Sequence, residues 1–244
     1  MILLQIQLYP TTENRVYLFQ TFTLTKKEKF AAFVDYFESN MPVAETELTF
    51  ETPYQLLVAV ILSAQCTDKR VNIITPSFFE AYPIPEVLAV ANQEAVYQQI
   101  KSCSYPNNKA KNLIGMAKVL LQEFNGIVPE DVDELQKMPG VGRKTANVVA
   151  SVVYNKPAMA VDTHVFRVAA RIGLTTRAKT PLQAEQQLVK YLPDAVISKA
   201  HHWLILHGRY VCKARKPDCE KCGISSFCSF YKVENNKASA TKST

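Results

Sequence analysis

An all-α fold is what this 244-residue sequence predicts. Apolar residues recur at helical spacing along most of the chain, prolines and glycines fall between those stretches, and no repeated alternation of polar and apolar residues marks a sheet. Hydrophobic residues make up 48% of the chain, ample for one or two packed cores.

Residues 1–24 are apolar, with Glu13 and Arg15 as their only charges. They lack the basic start and continuous apolar run of a signal peptide, and read as an extension outside the core fold. Nowhere does the chain reach the roughly 18–20 uninterrupted apolar residues that cross a bilayer, so no membrane partner is expected. From Thr52 to Cys66 the sequence suits a central buried helix: Thr52 is placed to cap it, Pro53 takes its first position, and nearly every side is apolar. Between Lys109 and Phe124, Leu113, Ala117, Leu120, Leu121 and Phe124 share one helical face, and Asn125-Gly126 ends it. A short helix over 133–138 stops at Pro139-Gly140. Another starts near Gly142, packs through Val148, Val149, Val152 and Val153, and breaks at Asn155-Lys156-Pro157. Asp162 is the expected N-cap of a further helix through Val165 to Arg171, ended by Gly173. Trp203 and its apolar neighbours read as core, and the polar residues 232–244 as a disordered tail.

Lysine and arginine outnumber aspartate and glutamate by 28 to 22, a formal charge of +6 that favours polyanionic partners without naming one. Of the six cysteines, Cys66 and Cys103 stand apart, whereas Cys212, Cys219, Cys222 and Cys228 crowd together near the C-terminus. A secreted disulfide scaffold distributes its pairs through a shorter chain, so this pattern reads as an intracellular metal-binding loop. Four thiolates that close can surround one centre. Structural zinc competes for such a set, but it more often uses two Cys-x-x-Cys pairs, and only one occurs here; the spacing favours an iron–sulfur cluster. The loop between the first two ligands holds Lys213, Arg215 and Lys216, which a pinned loop would present to phosphates.

The stretch Leu135–Val149, LQKMPGVGRKTANVV, joins two helices through Pro139-Gly140-Val141-Gly142. Its glycines permit unusual backbone angles and remove bulk, while the second helix aims unpaired N–H groups and its positive dipole end outward. Such a start binds phosphate and reads backbone, not sequence, although a plain helical hairpin would use the same glycines for packing. Lys144 lies in the first turn, where the dipole disfavours an ammonium, and a lysine is a nucleophile only as the free amine. An N-cap conversely favours the carboxylate form of Asp162. The two can meet: twelve helical residues from Arg143 run about 18 Å away, and residues 156–162 extend about 23 Å to bring the chain back.

With these motifs in view, the chain resembles the helix–hairpin–helix DNA glycosylases and, within them, the endonuclease III family. The resemblance rests on LSAQCTD at 62–68, MPGVGRKTANVV at 138–149, AVDTHVFRV at 160–168 and HHWLILHGRYVCKARKP at 201–217, and covers about residues 26–231. It implies a two-domain helix–hairpin–helix glycosylase fold with a C-terminal iron–sulfur cluster loop. The helical domain would span 46–156 and the cluster domain would combine 25–45 with 157–231, with the active-site cleft between them. It further implies Lys144 and Asp162 as catalytic residues and a [4Fe–4S] cluster on Cys212, Cys219, Cys222 and Cys228. DNA contacts are implied at Gln65, Tyr105, Gly140, Gly142, Arg143 and His164 and along the Lys213, Arg215, Lys216 loop. Gln65 matches the family's glutamine that fills the gap left by an extruded base. Tyr105 stands where better-known relatives carry an aliphatic wedge. His201, His202 and His207 are expected in packing or hydrogen bonding.

The implied activity is excision of oxidised or ring-saturated pyrimidines from double-stranded DNA, followed by β-elimination at the abasic site through a lysine Schiff base. The implied setting is a cytoplasmic monomer on the nucleoid. An adenine-mismatch glycosylase of the same superfamily would share the turn, aspartate and cluster but lack the lysine at position 144. A non-catalytic iron–sulfur DNA-binding protein would need neither Lys144 nor Asp162.

Overall fold

The computed structural model describes residues 24–234, so most of the N-terminal extension and the tail from residue 235 lie outside the described residues. In chain order the helices are α1 (Lys26–Asn40), α2 (Pro53–Ser63), α3 (Asp68–Ala81), α4 (Pro85–Ala89), α5 (Gln93–Ile100), α6 (Pro106–Phe124), α7 (Val132–Leu135), α8 (Arg143–Tyr154), α9 (Thr163–Ile172), α10 (Pro181–Val189) and α11 (Ile197–Tyr210). Among the described residues there is no strand, and no helix is long and apolar enough to cross a membrane.

Local chemistry accounts for most of the boundaries. Thr25 and Glu28 form a reciprocal capping box at α1. Thr52 accepts the N–H of Gln55 at the start of α2, with Pro53 at its first position. Asn125 and Gly126 leave α6 with φ of 52° and 78°. Four boundaries differ from the sequence reading. Helix α2 stops at Ser63, because Gln65 turns into the left-handed region at φ 54°. Helix α6 starts three residues early, with Pro106 at its first position behind a left-handed Tyr105. Helix α7 is a single turn that ends before Met138. Residues 232–234, expected in a disordered tail, are helical together with 229–231: the N–H of Lys232 bonds the carbonyl of Cys228, and Arg171 lies 4.8 Å over the Phe230 ring.

The buried residues form two clusters. The first surrounds α2, whose residues from Leu56 to Leu62 are all buried and which packs against α3, α6 and α8. At about 1.5–3 kcal/mol for each large apolar side chain removed from water, this helix is the principal apolar support of its half. The second cluster gathers Phe30, Phe33 and Phe37 of α1 around Trp203 of α11, whose Nε1 donates to the Met41 carbonyl at 2.8 Å. Leu24, expected in the extension, packs against this cluster. The strand-like crossing after α8 alternates between the two: Ala158 and Ala160 face the first, Met159 and Val161 the second. Helix α8 uses Val148 and Val149 as core, while Val152 and Val153 are only partly buried.

Candidate functional site

Asp162 closes that crossing segment. Its Oδ1 accepts the backbone N–H groups of His164 and Val165, both at 2.8 Å, and so caps α9. Lys144, exposed in the first turn of α8, lines the same cleft as Asp162, together with Val148, His201, His202 and Arg209. The cleft holds about 490 Å³ of empty space, part of it open to solvent. An amine at a helix start and a carboxylate at a helix cap thus meet across one cavity, where the amine can attack an electron-poor carbon and the carboxylate can oppose the positive charge that follows.

The floor of the cleft was not legible in the sequence. His201 is buried, and its Nδ1–H donates to the Ala160 carbonyl at 2.7 Å. Burial, then the neighbouring His202 and Lys144, push its imidazole down to about 3. Burial and Arg209 hold His202 at about 4, so both rings stay neutral at pH 7. Arg209 in turn pairs with Glu47 and, at 2.7 Å, with Asp68. That network ties α11 to the start of α3 and to the segment before α2, bridging the two clusters at the cleft rim.

The hairpin is confirmed in shape and corrected in detail. Gly140 has φ +82°, and a Cβ there would stand 2.9 Å from that of Asn112. Gly142 adopts ordinary extended angles, φ −87° and ψ 174°, and a Cβ on it would meet nothing within 4 Å. It caps α8 without a side-chain bond, so no cap side chain satisfies the first N–H groups of that helix. Arg143 is not a free cation: its guanidinium grips Glu185 of α10 in a two-bond fork at 3.0 and 2.6 Å. His164 is not among the cleft's lining residues; its ring faces the Arg167 guanidinium at 3.2 Å and packs against Gly208.

Gln65 and Tyr105 occupy neighbouring loops. Both are exposed, Tyr105 to 62%, and both have left-handed backbones. Ser104 joins the loops by donating to the Gln65 carbonyl at 2.7 Å.

The four C-terminal cysteines line a second cavity of about 330 Å³ with Ile172, His207 and Phe230, and none is in a disulfide. Burial and the neighbouring sulfurs push the Cys219 and Cys222 thiols up, so positive charge nearby is needed to hold these two as thiolates. Helix α9 holds this loop from its other end. Arg171 donates to the carbonyls of Lys213 at 2.7 Å and Ala214 at 3.0 Å and approaches the Cys212 sulfur at 3.4 Å, while Arg167 donates to the carbonyls of Gly208 and Cys212. Lys213, Arg215 and Lys216 are left exposed.

Residues 58–194 match the HhH-GPD superfamily of base excision DNA repair proteins, and residues 212–228 match the iron–sulfur binding domain of endonuclease III. The chain is 49% identical to endonuclease III of Rickettsia felis over 195 residues, 80% of this chain and 91% of that protein. With endonuclease III of Escherichia coli it shares 44% identity over 191 residues, 78% of this chain and 90% of that one. The chain belongs to the endonuclease III family. Its fold is similar to that of a trapped endonuclease III–DNA covalent intermediate (estranged-adenine complex), with TM-score 0.82, 42% identity, and coverage of 87% of this chain and 99% of that one.

As a member of the endonuclease III family the chain is a base-excision DNA repair glycosylase with AP-lyase activity, and it binds DNA. The segment 212–228 binds an iron–sulfur cluster, and the donor set fits it: four free thiols ring one cavity and a cationic Arg171 lies against them.

Proposed function

We propose that Lys144 is the nucleophile and Asp162 the charge-stabilising carboxylate of a glycosylase that acts on oxidised or ring-saturated pyrimidines. The observation that carries this reading is the shared cleft of the two residues beside the glycine hairpin. Phosphates flanking the lesion would rest on the uncapped N–H groups at the start of α8, while the extruded nucleotide enters the cleft. The Lys144 amine bonds to the sugar C1′ as the C1′–base bond breaks, with the electron pair leaving on the base. Asp162 opposes the positive charge developing on the sugar and takes up the proton that the amine loses. The nitrogen lone pair then forms the C1′=N bond as the C1′–O4′ electrons pass to the ring oxygen, which takes the proton held on Asp162, leaving a protonated Schiff base. Loss of a C2′ proton then expels the 3′ phosphate by β-elimination.

For the metal loop the reading is a [4Fe–4S] cluster held by Cys212, Cys219, Cys222 and Cys228. Four free thiols around one cavity, and the match of residues 212–228 to the iron–sulfur binding domain of endonuclease III, support this reading. When bound, the cluster supplies a rigid crosslink and no bond-making to the base; Lys213, Arg215 and Lys216 then project toward phosphates. The protein acts as a monomer in this reading.

Duplexes carrying thymine glycol, or adenine opposite 8-oxoguanine, test the substrate. Release of thymine glycol with strand scission is expected. Release of adenine without scission would favour the mismatch-specific branch of the superfamily. Four irons and four sulfides per chain are expected for the cluster, and stoichiometric zinc would overturn it.

A further inference from the structure

Lys109 is 5% exposed, one turn into α6, and its position is unusual for an ammonium. Its Nζ donates to the carbonyls of Leu62 at 2.7 Å and Ala64 at 2.8 Å, and to the Ser104 hydroxyl at 3.2 Å. An ammonium has three donor hydrogens, and three acceptors stand around it. Two of these acceptors close the C-terminal end of α2, a helix with no basic residue in its own last turn, so Lys109 supplies from α6 the cation that this end lacks. The third acceptor, Ser104, precedes Tyr105 and bonds Gln65. The backbone N–H of Lys109 also bonds the carbonyl of Tyr105 itself at 3.1 Å. One residue therefore touches both loops.

We propose that Lys109 is the positioning residue that makes the Gln65 and Tyr105 loops a single rigid wedge for DNA. The proposal rests on the reading of those two residues as the ones that enter the duplex. Both backbones are held in left-handed angles that cost energy for residues other than glycine, and such angles persist only where surrounding bonds impose them. Lys109 and Ser104 impose them here. A wedge must push against the base stack without yielding, so the buried ammonium converts two exposed loops into one tool.

The test uses the full-length, cluster-loaded protein and two DNA probes, each with one abasic site: one fully paired around a site opposite adenine, the other within a short unpaired bubble. The readout is the single-turnover rate of the borohydride-trapped adduct. Lys109→Met is expected to slow the paired probe about 100-fold relative to the bubble, because only the paired probe has a stack to open. Equal losses on both probes, or no loss, would overturn the proposal. Ser104→Ala keeps the lysine and removes the bridge; it is expected to show the same preference at about tenfold, and it carries the test should Lys109→Met not fold. Gln65→Ala and Tyr105→Ala separate the failures. If neither discriminates between probes, the loops are not the inserting elements. If they do and Lys109→Met does not, Lys109 alone loses its role.

Discussion

Asp162 Oδ1 accepts the backbone N–H of His164 at 2.8 Å, and the same atom accepts that of Val165. One carboxylate oxygen thus builds the helix, and the other is left for the cleft that Lys144 lines. Asparagine caps as well as aspartate. Asp162→Asn is therefore expected to shift stability by less than about 1 kcal/mol while slowing excision by about 100-fold or more. Asp162→Ala should add a loss of about 1 kcal/mol from the missing cap. Thermal melts and single-turnover rates on the same preparations check both.

The two hairpin glycines are expected to fail differently. At Gly140, with φ +82° and the Asn112 side chain 2.9 Å from where a methyl would stand, alanine is strained and crowded, and Gly140→Ala should lower stability by about 1–3 kcal/mol. At Gly142 a methyl meets no protein atom but covers the start of α8. Gly142→Ala should keep the melting temperature within a few degrees and weaken binding to a non-cleavable abasic duplex, measured by anisotropy.

Lys213, Arg215 and Lys216 are exposed on a loop fastened by Arg171. Replacing all three with alanine should reduce the salt dependence of DNA binding, with the slope of log K against log [salt] falling by about 0.9 for each phosphate that is no longer neutralised. Titrations at several salt concentrations measure it. An unchanged slope would place the loop away from DNA.

Acid should loosen the cleft floor. His201 and His202 are held at about 3 and about 4 by burial, against about 6.5 in an unfolded chain. A depressed histidine stabilises the fold fully above the unfolded value, and that contribution is lost as pH falls from about 6.5 toward about 4 for His202 and about 3 for His201. The expected slope is about 1.4 kcal/mol per pH unit for each ring. Denaturant midpoints at stepped pH, taken at equal cluster absorbance, check this. His202→Gln should remove about half of the slope that the pair contributes.

What could be read from the sequence was local. Thr52 and Asp162 cap their helices with their own side chains, the Asn125-Gly126 stop is a short-range signal, and the cysteine spacing needs only a tight loop. What could not be read depends on partners far along the chain. Arg143 looked free to bind phosphate because Glu185, which neutralises it, comes from α10. The sequence offered Lys109 only as a helix boundary; its acceptors Leu62 and Ala64 lie at the end of α2, far along the chain. His201 is packed and hydrogen-bonded as expected, but its place beneath Lys144 was hidden, because it follows from the packing of α11 against α8. The left-handed Tyr105 was hidden because tyrosine has no preference for that backbone.

The most direct measurement is borohydride trapping on abasic duplex DNA, followed by peptide mapping of the covalent adduct. The adduct should map to Lys144, and Lys144→Gln should abolish it while still binding the duplex. An adduct on another lysine, or equal trapping by Lys144→Gln, would contradict the assignment of the amine at the start of α8 as the nucleophile.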